Sequence, residues 1–105
     1  MDNLSTPFDV FKKKIVAVDF DQVISDNHQG WLQILYLLKQ VGYEVIIVTY
    51  RSPKKDAFEL DFLSKAGYTI YFTNHVAKKD YLKEKGINVD IWVDDCPESI
   101  LKNNV

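Results

Sequence analysis

Apolar residues along this chain follow two rhythms. Ile15-Val16-Ala17-Val18 and Val45-Ile46-Ile47-Val48 are continuous β-branched runs. A strand with no polar alternation is one covered on both faces, as in a parallel sheet. Thr69-Ile70-Tyr71-Phe72 and Ile91-Trp92-Val93 extend the series to four predicted strands. Between them the spacing lengthens to three and four. Trp31, Ile34, Leu35, Leu38 and Val41 form one helical stripe, and Phe58, Phe62, Leu63 and Ala66 a second. A third helix, from about Ala77 to Lys85, is shorter and mostly polar outside Tyr81 and Leu82. Gly42, Gly67 and Gly86 each stand between a helix and the next strand, where a left-handed residue ends a helix. Ser52-Pro53 reads as an N-cap followed by the first helical residue. Strand, helix, glycine, strand is the unit of an α/β fold with right-handed crossovers. The expected architecture is a three-layer sandwich around a mainly parallel sheet in the order 3-2-1-4.

Composition narrows this picture only a little. The 105 residues make one domain, 1–105, with 1–12 as its least patterned segment, although Phe8, Val10 and Phe11 there suggest packing. A net charge of −2 makes no case for a polyanionic partner from the total alone. The single cysteine, Cys96, excludes an internal disulfide and reads as a small packing residue. The start of the chain lacks the basic and apolar regions of a signal peptide, and no apolar run approaches the ~20 residues that span a bilayer. A cytoplasmic protein without membrane attachment is expected. Trp31 and Trp92 are assigned to the core, His28 and His75 to loops, and Lys12-Lys13-Lys14 to a solvated run at the end opposite the strand C-termini.

The polar clusters change the picture more. Asp19-Phe20-Asp21 follows the first strand, Thr49-Tyr50-Arg51 the second, and Asp94-Asp95 the fourth, while Lys78 and Lys79 open the third helix. In an open parallel sheet, ligands bind at the C-terminal strand ends where strand order reverses. With the order 3-2-1-4, the first and fourth strands bring Asp19, Asp21, Asp94 and Asp95 into one crevice. Either acidic pair alone is an ordinary loop or cap. Together they conflict, since two carboxylates about 4 Å apart repel by roughly 4 kcal/mol at an effective dielectric near 20. A hard cation with oxygen ligands, Mg²⁺, resolves the conflict and tolerates a phosphate in its shell.

The ordered set Val16-Ala17-Val18-Asp19-Phe20-Asp21, Ile46-Ile47-Val48-Thr49, Lys78 or Lys79, and Ile91-Trp92-Val93-Asp94-Asp95 resembles the four motifs of haloacid dehalogenase (HAD) superfamily phosphatases. The resemblance spans residues 15 to 99 and implies a HAD-like Rossmannoid fold. It also implies a Mg²⁺-dependent phosphomonoester hydrolase that works through an aspartyl-phosphate. It assigns Asp19 as nucleophile, Asp21 as general acid/base, Thr49 as a phosphoryl ligand and one lysine as the balancing cation. Spacing to Leu82 favours Lys78 over Lys79. Metal ligands would come from Asp19, the Asp21 carbonyl, Asp94 and Asp95, with Asp95 direct and Asp94 its support. The family usually has glycine where this chain has Gln22. Its inserted lids have no room between Asp21 and Thr49 or between Thr49 and Lys78, which makes a capless type.

An open mouth leaves substrate recognition to its rim. Tyr50, Arg51, Lys54 and Lys55 follow the second strand, with Lys54 and Lys55 expected in the first turn of a helix. Such a rim suits a phosphorylated substrate, with nucleotides and nucleic-acid ends as candidates, and Tyr50 is placed to stack on a base or to pack. An uncovered fourth-strand edge invites residues 7–11 or a homodimer partner. A dinucleotide-binding module is excluded because the first turn has no glycine-rich loop. A phosphoacceptor receiver is excluded because Thr73-Asn74 stands where its aspartate belongs. The competing reading is a non-catalytic HAD-like domain that binds a phosphorylated partner.

Overall fold

A computed structural model describes residues 12–55 and 57–105. The expectations for residues 1–11, including packing by Phe8, Val10 and Phe11 and cover for a sheet edge, fall outside the described residues. Among the described residues four strands, β1 (Ile15–Val18), β2 (Glu44–Thr49), β3 (Ile70–Phe72) and β4 (Ile91–Val93), alternate with four α-helices. These are α1 (His28–Val41), α2 (Asp61–Lys65), α3 (Lys78–Glu84) and α4 (Glu98–Leu101). The sheet is wholly parallel in the order β3-β2-β1-β4, as the sequence implies.

Strand alternation divides the core in two. Val16, Val18, Val45 and Ile47 share one cluster with Leu35 of α1, Leu60 and Leu63. Ala17, Ile46 and Val48 share the other with Leu82 of α3. The side chains of Val16–Val18 and Val45–Val48 therefore meet apolar neighbours whichever way they point, which is why these runs carry no polar alternation. Gly42 ends α1 with a φ of 117°, and its N–H donates to carbonyls of the last helical turn. An L-residue there would be strained.

The helices depart from expectation in detail. Within α1 the buried face is Leu35 with Trp31, Leu32 and Leu38 packed beside it, whereas Ile34 and Val41 are 41% and 73% exposed. No helix begins at Pro53. Residues 53–55 form a turn in which the Ser52 hydroxyl accepts the Lys54 N–H (3.2 Å), and a 3₁₀ turn, Ala57–Leu60, leads into the short α2. Of the expected stripe, Leu63 is buried and Phe62 packs against the core, whereas Phe58 and Ala66 are exposed and Leu60 takes a core position instead. His28 is not a loop residue but the first residue of α1, and its ring stacks on Phe62 at 4.3 Å. Trp31 and Trp92 are only half-buried at the margins of the core.

Thr73, after β3, is buried, and its hydroxyl has no partner among the described residues. An unsatisfied buried hydroxyl costs about 1–3 kcal/mol. Thr73→Val, which keeps the shape, is expected to raise the thermal midpoint by roughly 4–8 °C per kcal/mol recovered. An unchanged or lower midpoint in calorimetry would show that the hydroxyl is satisfied.

Candidate active site

β1 is the point where strand order reverses, so the loops after β1 and β4 face each other. The Asp19 N–H donates to the Val93 carbonyl (2.9 Å), extending the pairing of these strands to the first acidic residue. Asp19, Asp94 and Asp95 each bring a carboxylate oxygen within 4.8 Å of the others. Lys78 enters from the start of α3, on the helical face of the buried Leu82 four residues on. Its ammonium donates to Asp19 Oδ1 (3.0 Å) and Asp94 Oδ2 (2.6 Å). Lys78 is 1% exposed. Lys79, the alternative, is exposed and borders a separate small cleft with Ile87 and Trp92.

The two C-terminal carboxylates differ. Asp94 is fully engaged, by Lys78, the Cys96 N–H (2.9 Å) and the Ser99 hydroxyl (3.3 Å). Asp95 is exposed and borders the open cleft. Burial pushes the Asp19 carboxyl up to about 7, opposed by Lys78 and reinforced by Asp94. With all three carboxyls ionised against one ammonium, the formal charge is −2. An all-oxygen, doubly negative set fits a hard divalent cation, with Asp19, Asp94 and Asp95 as the holders.

Asp21 and Arg51 form the outer part. The guanidinium grips Asp21 through Nη2–Oδ1 (2.8 Å) and Nε–Oδ2 (3.1 Å), and reaches Glu59 through Nη1 (2.9 Å). These bonds raise the Arg51 pKa further. Arg51 is therefore a brace for Asp21, not an open anion site. Thr49 is buried at the end of β2, and its Oγ1 accepts the Arg51 N–H (3.2 Å). Gln22 has a φ of 60°, and its N–H donates to Ser25 Oγ (2.8 Å). Glutamine thus adopts the left-handed conformation that glycine takes most easily, at roughly 1–2 kcal/mol.

A cleft of about 420 Å³ joins these groups, lined by Asp19, Asp21, Gln22, Tyr50, Lys78, Asp95, Cys96, Ser99 and Val105. Tyr50 is half-buried, its ring 5.2 Å from that of His75 and its hydroxyl bonded to the Lys102 carbonyl. Cys96 is exposed on the cleft, contrary to the packing role expected of it. Lys54 and Lys55 are exposed in the turn after Pro53, so they do not oppose a helix dipole. Sequence reasoning missed Ser99, Glu59 and the segment after α4. Ser99, five residues past Asp94, carried the only local signal.

Comparison with family models, with curated proteins and with solved structures returns no match. No helix among the described residues is long and apolar enough to cross a membrane.

The raised Asp19 pKa has a signed consequence for stability. The unfolded chain releases this proton near 3.8 and the folded chain near 7. Below the lower value both states are protonated and the group contributes nothing. As pH rises between the two, the folded state holds the extra proton, so stability falls and levels above about 7. In EDTA, urea unfolding should show the stability advantage of Asp19→Asn over the native protein growing across this window. A difference that does not vary with pH would contradict the buried, raised carboxyl.

Proposed function

We propose that this protein is a Mg²⁺-dependent phosphomonoester hydrolase of the capless HAD type, a three-layer Rossmannoid working through an aspartyl-phosphate in the cytoplasm. The observation that carries the reading is the buried Lys78 ammonium between Asp19 and Asp94, with Asp95 beside them. A lysine fixed among carboxylates, at an open cleft on the strand ends, is an arrangement that a divalent cation and an incoming phosphoryl group together complete.

In this reading an Asp19 carboxylate oxygen attacks phosphorus and the bond to the leaving oxygen breaks, with Asp21 supplying its proton. Water then attacks the phosphorus, gives its proton to Asp21, and the phosphorus–Asp19 bond breaks. Lys78, which lines the cleft, meets the phosphoryl oxygens as their charge shifts, and the Thr49 hydroxyl, buried behind the cleft lining, holds the Arg51 N–H. Bound Mg²⁺, held by Asp19, Asp95 and the Asp21 carbonyl with Asp94 as their support, would neutralise the phosphoryl charge. Arg51 orients Asp21. Recognition of the rest of the substrate falls to Tyr50, Lys54 and Lys55, which favours a nucleotide or nucleic-acid phosphate over a compact sugar phosphate.

Asp19→Asn should abolish turnover of p-nitrophenyl phosphate with Mg²⁺ while the protein stays folded. Lys78→Ala should lower kcat by about 10²-fold or more, and Lys79→Ala by less than about threefold. Full activity in folded Asp19→Asn would remove the nucleophile assignment. A folded native protein without turnover, yet retaining phosphoester binding, would favour a binding domain.

A further inference from the structure

Lys78 is the first residue of α3, so the loop before it sets the backbone position from which the ammonium reaches Asp19 and Asp94. That loop is unfavourable by itself. Asn74 and His75 have φ of 52° and 65°, left-handed values that cost non-glycine residues roughly 1 kcal/mol or more each. Ala77 has no side-chain oxygen with which to cap the helix. Three backbone bonds tie the loop to β2 and the residues after it, from the Thr73 N–H to Thr49 (2.8 Å), the Asn74 N–H to Arg51 (3.3 Å) and the His75 N–H to Tyr50 (3.0 Å), and the Val76 N–H closes the loop on the Thr73 carbonyl (3.1 Å).

Beside the Tyr50–His75 ring contact and the burial of Ala77, restraint comes from residues that follow α4. Asn103 Oδ1 accepts the Ala77 N–H at 2.7 Å. The Asn104 N–H donates to the His75 carbonyl at 2.8 Å. The Lys102 carbonyl accepts from the Tyr50 hydroxyl, and Val105 lines the catalytic cleft. Consecutive residues of one segment thus hold both loops that deliver Tyr50 and Lys78, and then form part of the cleft wall.

We propose that Lys102–Val105 is a working wall of the site, in which Asn103 is a positioning residue that sets Lys78 through the Ala77 N–H. This rests on the reading of Lys78 as the cation that meets the phosphoryl group. In place of an inserted lid, the chain closes one side of its cleft with its own segment. Because a misplacement near 1 Å can cost about 10²-fold in rate, a single bond to the residue before Lys78 has leverage on catalysis.

The test compares Asn103→Leu, Asn103→Ala and Asn103→Asp in the full chain, all well below their thermal midpoints. Aspartate keeps an acceptor for Ala77, whereas leucine and alanine remove it. Two readouts are taken: kcat and KM for p-nitrophenyl phosphate with Mg²⁺, and acylation of Lys78 by an amine-reactive reagent followed by peptide mapping. Leucine and alanine should lower kcat about tenfold with little change in KM and raise Lys78 acylation by a similar factor, with aspartate restoring both. Unchanged Lys78 acylation in the folded leucine and alanine variants would overturn the proposal, as would an equal loss in the aspartate protein. If the native protein shows no turnover while Lys78 acylation still follows the residue at 103, the hydrolase reading falls and the positioning role stands.

Discussion

The structure turns on one buried ammonium. Lys78 is removed from water, and a lone charge there would be costly unless paired and hydrogen-bonded. It is stable where it sits because Asp19 and Asp94 arrive from the two strands that meet where the sheet order reverses. The dependence is mutual. Without Lys78 the acidic residues would repel one another, and Asp19 would be pushed further from its ionised form. The excess of negative charge that remains is what a divalent cation would answer.

That centre explains the layout around it. β1 and β2, buried on both faces from Val16 to Val18 and from Val45 to Val48, provide the frame, and their C-terminal ends lead into the polar loops of the site. Asp94 is held by three donors and is in effect part of the frame, while Asp95 keeps its exposure to the cleft. Asp21 is braced from outside by Arg51, which Glu59 holds in turn. Cost is accepted at a few points, such as the left-handed Gln22, Asn74 and His75, all in loops that bear on the site.

What was legible in the sequence is what local pattern determines. The bounds of β1 and β4, the strand order, Gly42 at its left-handed position, and the meeting of Asp19 with Asp94 and Asp95 all follow from runs and punctuation. In the α1 stripe Trp31, Leu35 and Leu38 hold, and Ile34 and Val41 do not, because a 3.6-residue period permits neighbouring faces. Leu32 and Ile34 flank Leu35 on either side, and only packing on the sheet selects Leu32. Ser52-Pro53 failed as a helix start because the serine hydroxyl closes a local turn with Lys54. Arg51 looked like a substrate cation because its carboxylate partners lie 30 and 8 residues away. The grip of Asn103 on Ala77, across 26 residues, left no periodic trace at all.

The central claim is that Asp19 becomes the phosphoryl carrier. The most direct measurement is to quench the protein with acid during turnover of a phosphomonoester with Mg²⁺, reduce it with borohydride and map the peptides by mass spectrometry. An acyl phosphate is reduced to the alcohol, so the account predicts that position 19, and no other aspartate, is converted in proportion to the trapped intermediate. Steady turnover with an unmodified Asp19, or conversion at another carboxylate, would contradict it.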